Sequence, residues 1–128
     1  MILFLDTSTP ECKLTLADGD WRYEKTWEAG RGLAKGLLEF LETELTSQAK
    51  VWSDVRGLVV FKGPGSFTGL RIGITVMNTL ANVNNWPIVG ETGEHWQQTG
   101  QTRIEAGEND GIILPEYGGE ANITTPRK

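Results

Sequence analysis

Residues 58–73 read LVVFKGPGSFTGLRIG, and the fold is decided in this stretch. Leu58-Val59-Val60-Phe61 is a short apolar run of strand-favouring residues, the pattern of a strand buried on both faces. It leads through Lys62 into Gly63-Pro64-Gly65-Ser66, where Ser66 is a helix N-cap type standing directly before Phe67. The spacing predicts a helix over residues 67–84. Its composition is poor for one, because Gly69 and Gly73 each cost about 1 kcal/mol relative to alanine and Ile72, Ile74, Thr75 and Val76 are β-branched. Packing must therefore hold it. At about 100° per residue, Phe67, Leu70, Ile74, Met77 and Ala81 form one apolar stripe. Ile72, Val76, Leu80 and Val83, flanked by Gly69 and Gly73, form a second about 130° away, with Thr68, Arg71, Thr75, Asn78 and Asn82 as a polar strip. Two stripes require two packing partners. One is the sheet; the other is either the first helix of the same domain or another molecule, whose backbone the glycines would admit.

Outward from this stretch the elements alternate. Residues 2–6, ILFLD, are an apolar run ending in a carboxylate and read as a buried central strand, with Thr7-Ser8-Thr9-Pro10-Glu11 as the turn. Lys13 to Ala17 and Trp21 to Trp27 alternate with period two around Asp18-Gly19-Asp20, a hairpin signal. Trp21 and Trp27, six apart, share one side of the sheet. From Gly32 to Thr46 the period becomes helical, and Leu33, Leu37, Leu38, Phe40, Leu41 and Leu45 span an arc of about 160°, wider than one buried face requires. Trp86-Pro87-Ile88-Val89-Gly90 reads as a last short strand. Beyond it the periodicity fades. A loop or short helix is expected around Glu94 to Thr99, a brief extended segment at Gly111 to Pro115, and an irregular tail from Glu116 to Pro126-Arg127-Lys128. The expected architecture is one α/β domain, a mixed sheet carrying two main helices over residues 1–90, followed by a weakly structured extension over 91–128.

Composition restricts the function. The 128 residues carry 12 basic and 17 acidic side chains, a net charge of -5, which argues against a chain that grips nucleic acid through its own phosphate contacts. Only residues 51–90 run against this, with three basic residues and one acidic. Cys12 is the single cysteine, so an intramolecular disulfide or a cysteine-based zinc site is excluded, and a reducing, cytoplasmic setting is expected. The apolar start is cut by Asp6 and reads as neither a signal peptide nor a membrane anchor.

Asp6 at the end of the first strand, followed by Thr7-Ser8-Thr9, is the arrangement of a phosphate loop or of a metal-binding carboxylate; the simpler reading is a turn-capping carboxylate. A two-metal nuclease needs several converging acids, and the strand ending in Lys62-Gly63 offers none. The 63–69 loop lacks the lysine of G-x-x-x-x-G-K-[ST] and fails the spacing of G-x-G-x-x-G. The simpler reading is a sharp strand-to-helix turn. His95 and Cys12 lack partners for a triad or a metal site and read as an exposed polar residue and a small buried one. No catalytic residue and no metal ligand is assigned.

The segment GPGSFTGLRIG, residues 63–73, resembles the signature of the TsaB (YeaZ) family, and the opening ILFLDTSTPEC is similar to that family's first strand and turn. The likeness covers about residues 1–90. It implies an actin-like, ribonuclease-H-like fold, with Gly63, Pro64, Gly65, Ser66, Phe67, Thr68, Gly69, Leu70 and Arg71 as the motif. It further implies a non-catalytic subunit that pairs with TsaD, the homologous catalytic protein. With TsaE, an ATPase, TsaD threonylcarbamoylates the adenosine beside the tRNA anticodon, so that tRNA is met indirectly. ATP and Mg then belong to the complex, and no cofactor to this chain alone. The pairing helices carried over are 32–46 and 67–84. Leu33, Leu37 and Leu41 of the first, and Phe67, Leu70, Ile74, Met77, Asn78 and Ala81 of the second, are the assigned contact residues, with self-pairing through the same helices when the partner is absent. Which stripe of the second helix meets the partner is left open. Family members carry a second α/β domain, so residues 91–128 are expected to be its remnant. The alternative is a stand-alone nucleotide-binding or ATPase domain using Asp6 and the 63–69 loop.

Overall fold

The computed structural model describes residues 1–117; the end of the expected tail, including Pro126-Arg127-Lys128, lies outside the described residues. Strand β1 (Ile2–Asp6) is central, and β2 (Glu11–Asp18) and β3 (Trp21–Glu28) follow it as antiparallel neighbours. A 3-10 turn at Gly30–Gly32 leads into α1 (Leu33–Ser47), one residue later than expected because Gly32 ends that turn. Then come β4 (Gly57–Phe61), α2 (Phe67–Asn84), β5 (Ile88–Glu91) and α3 (Trp96–Glu105). The sheet order is β3-β2-β1-β4-β5, with β4 parallel to β1 and β5 parallel to β4. This is the mixed sheet of the expected fold class.

Strands β1, β4 and β5 are apolar on both faces because both faces are covered. Leu3, Leu5, Leu14, Leu16, Leu58, Val60 and Ile88 join Leu37, Leu41 and Leu45 of α1 and Leu70, Ile74 and Met77 of α2 in one core. On the opposite face Ile2, Phe4, Ala17, Val59 and Val89 pack with Ile104 and Trp96 of α3. The edges of Trp96 and Phe4 meet at 6.2 Å between centroids, and those of Trp96 and Phe61 at 5.6 Å. Residues 96–105 thus belong to the same packed body as 1–90. That corrects the expectation of weak structure beyond residue 90: Trp96, Gly100 and Ile104 fall four apart, and Gly100 lets α3 lie against Val59, where a β-carbon would come within 2.2 Å of Cγ1.

Past α3 the chain turns back across the β5 edge. Asn109 Oδ1 accepts from the Ile88 amide at 3.1 Å, Asp110 Oδ2 accepts from the Gly90 amide at 3.0 Å, and the Asp110 amide donates to the Ile88 carbonyl at 2.8 Å. Side chains here do the work of a sixth strand. Arg103 holds the turn by pairing with Glu91, Glu108 and Asp110. Where a brief extended segment was expected, the chain first bends at Gly111, with the Ile112 amide donating to the Asp110 carbonyl at 2.9 Å, and Asn78 of α2 then clamps Ile113: Nδ2 donates to the Ile113 carbonyl at 3.0 Å and Oδ1 accepts from the Ile113 amide at 2.9 Å.

Candidate functional site

Within the motif of residues 63–73, Gly65, Gly69 and Gly73 lie against the β1–β2 turn. The Gly63–Pro64 peptide is cis, and Ser66 caps α2 as expected, its Oγ accepting from the Gly69 amide at 3.3 Å. The Ser66 amide donates to the Ser8 carbonyl at 2.8 Å, and Thr7 Oγ1 donates to the Gly69 carbonyl at 2.7 Å. Gly69 and Gly73 present their missing side chains to Thr7: a β-carbon would lie 2.3 Å from the Thr7 carbonyl oxygen at the first and 2.2 Å from Thr7 Oγ1 at the second. The close backbone that the glycines admit is therefore this chain's own. Asp6 Oδ1 accepts from the Ser8 amide at 2.8 Å, the turn-capping role.

The two apolar stripes of α2 are now distinguished. Leu70, Ile74, Met77 and Ala81 are buried against the sheet, as are Leu33, Leu37 and Leu41 of α1. As a contact set for a partner these seven are corrected, because a side chain inside its own core has no surface to offer. Asn78 is likewise taken up by Ile113. Of the nine assigned contact residues only Phe67 is exposed, at 55%, and its ring lies 4.4 Å from that of Tyr117. The other stripe is the accessible one. Ile72, Val76 and Leu80 are half-buried, Val83 is 73% exposed, and Leu38 on α1 is 49% exposed. A groove of about 420 Å³, lined by Ala34, Thr68, Arg71, Ile72, Thr75 and Val76, runs between the two helices. The wide arc of α1 divides similarly: Leu37 and Leu41 go to the core, Phe40 stacks on Trp27 at 5.0 Å, and Leu38 is left outside.

Cys12 is buried, and burial, reinforced by the Asp6 carboxylate, pushes its thiol up to about 12. His95 is exposed, with Nε2 3.7 Å from Glu94. Glu44 is buried on α1 and its Oε1 accepts from the Tyr23 hydroxyl at 2.6 Å, a tie between helix and sheet that had no signal in the sequence. Among the described residues no three His, Cys, Asp or Glu side chains converge as a metal site, and no helix is long and apolar enough to cross a membrane.

A family model described as TsaD: tRNA N6-adenosine threonylcarbamoyltransferase matches residues 28–95. The chain is 31% identical over 112 residues to the tRNA threonylcarbamoyladenosine biosynthesis protein TsaB of Escherichia coli, covering 82% of this chain and 48% of that protein. It is 34% identical over 91 residues to the protein of the same description from Haemophilus influenzae, covering 69% and 37%. Among solved structures, YeaZ from Pseudomonas aeruginosa superposes with a TM-score of 0.68 at 28% identity, over 83% of this chain and 49% of that one. The chain spans about half the length, or less, of the curated relatives it matches.

Proposed function

This chain belongs to the TsaB/YeaZ family, and on that premise we propose that it acts in tRNA threonylcarbamoyladenosine biosynthesis as a non-catalytic subunit that pairs with TsaD. The observation that carries the reading is the half-exposed stripe Ile72, Val76 and Leu80 of α2, continued by exposed Val83, with Leu38 exposed on α1. Such a contiguous apolar helix face on a folded chain is the usual mark of a protein interface. The net charge of -5 supports indirect contact with tRNA, gripped by other members of a cytoplasmic assembly. TsaE, and the ATP and Mg that the complex uses, enter through the partner in this reading. The competing possibility, nucleotide binding by the chain alone through Asp6 and the 63–69 loop, is less supported. Asp6 Oδ1 is engaged by Ser8, and the loop's Ser66 amide is turned onto the Ser8 carbonyl.

Co-expression with TsaD of the same organism tests the proposal. The parent chain is expected to co-elute with it, and a Leu38→Asp/Val76→Asp variant to elute alone with unchanged circular dichroism. Ile74 is unsuitable for this purpose, since at 3% exposure its substitution reports folding. A variant that still co-elutes would show the interface to lie elsewhere. Calorimetric titration of the isolated chain with ATP separates the competing possibility, which requires saturable binding.

A further inference from the structure

The groove between α1 and α2 opens into a second hollow of about 360 Å³ that shares Thr68 and Ile72 with it and adds Arg31 from the turn before α1. No acidic residue lines either hollow, in a chain with 17 acidic side chains, while Arg31 and Arg71 stand one in each. Both arginines are exposed, and among the described residues neither has a carboxylate within 4.0 Å. Arg71 is nevertheless not free to wander. Its guanidinium lies 5.3 Å over the Phe67 ring, which in turn packs on Tyr117 at 4.4 Å. A guanidinium held on an aromatic face keeps its N–H fork available to an outside acceptor.

An apolar floor of Ile72 and Val76, with one arginine in each of the two hollows and neither paired among the described residues, specifies the chemistry of what lies on it. We infer that the groove receives an apolar helix of the partner that carries carboxylates on both sides of its contact stripe, one for Arg31 and one for Arg71. The inference rests on the partner-subunit reading above and adds to it the residues that select the partner. Arg–carboxylate pairs at the margin of an apolar contact set orientation and encounter rate, and they exclude a partner whose flanks are basic. The acidic remainder of the chain favours the same orientation, since a carboxylate-bearing helix is attracted only where the surface turns positive.

The test is a binding titration of the full chain against the cognate TsaD at about 50 mM and about 500 mM salt. For the parent the affinity is expected to fall with salt. The Arg31→Glu/Arg71→Glu variant is expected to bind at least about tenfold more weakly at low salt, with the salt dependence flattened or reversed. Both positions are exposed, so unchanged circular dichroism should accompany the loss. A variant that binds within about twofold of the parent, with the parent's salt slope, overturns the inference while leaving the subunit reading intact. A parent chain that does not bind TsaD at all overturns both. If the variant loses only self-association in analytical ultracentrifugation and keeps the TsaD complex, the groove's occupant is a second copy and the inference is wrong.

Discussion

A methyl group added at Gly73 would arrive 2.2 Å from Thr7 Oγ1 and 3.0 Å from Thr7 Cβ, with no flexible side-chain end to give way. Gly73→Ala is therefore expected to destabilise the chain by about 1–3 kcal/mol, although alanine is the better helix former. Thr7→Ala removes the hydroxyl in the way, and also the hydrogen bond to the Gly69 carbonyl. The two substitutions should be non-additive, Gly73→Ala costing less in the Thr7→Ala background, as a double-mutant cycle in urea would read. Strict additivity would mean that the β1–β2 turn moves aside freely. Cys12 gives a second test at this scale. Its thiol rises from about 9 to about 12 through burial and then the Asp6 charge, so the folded chain keeps a proton that the unfolded chain loses as pH climbs. Stability contributed by the neutral thiol is present below about pH 9 and is lost as pH rises towards about 12. Between about pH 8 and about pH 10 a Cys12→Ala variant should accordingly lose less stability than the parent. Equal losses would show the thiol to be reachable by water.

At the scale of elements, the N-terminal hairpin, β4 and α2 were legible because each carries a strong local period and a sharp end signal. Ser66 before Phe67 fixed the start of α2 to the residue. What local pattern could not decide was which stripe of α2 is outermost, because Leu70 and Val76 are equally apolar and only the position of the sheet separates them. The partner residues assigned from resemblance were misplaced for that reason. The third helix was missed for another: seven of its ten residues are polar, and its contact with the sheet rests on Trp96, Gly100 and Ile104 alone. Counting that four-residue spacing, with glycine as a packing position, would have found it. The β5 edge was illegible too, since nothing in Asn109-Asp110 announces that side chains replace a strand. Burial pushes the Asp110 carboxyl up, but hydrogen bonds from Arg103 and the Gly90 amide outweigh this and hold it below the ordinary carboxylate range. Stability from this pair is present at neutral pH and is lost as the medium is acidified through that lowered value. Asp110→Ala should uncap the edge at the Gly90 amide, whose acceptor it removes, with exchange there accelerated by about tenfold or more while the centre of β1 is unaffected. Unchanged exchange at Gly90 would mean that the edge is protected by something other than the Asp110 carboxylate.

For the whole molecule the question is whether residues beyond 90 fold with the rest or follow it. The connections argue for one unit. α3 supplies Ile104 and Trp96 to the core on one face of the sheet, Ile113 enters the core on the other, and Asn78 and Arg103 fasten the intervening chain to α2 and β5. If these contacts are removed, Phe4, Val59 and Val89 lose their cover, which no small domain tolerates without loss of much of its stability. The tryptophans make this measurable. Trp96 reports the α3 face, whereas Trp27 stacks on Phe40 of α1 and Trp52 lies 6.2 Å from Trp86 on the other side. In urea, the fluorescence of a variant keeping only Trp96 and that of one keeping only Trp27 should change at the same midpoint as the far-ultraviolet circular dichroism of either, the signature of a single cooperative transition. An earlier midpoint for the Trp96 reporter would put a boundary near residue 90 after all, with α3 a separately melting cover. In the cooperative case, loosening the β5 edge by Asp110→Ala should lower both midpoints together, because the edge, α3 and the paired helices then share one free energy of folding.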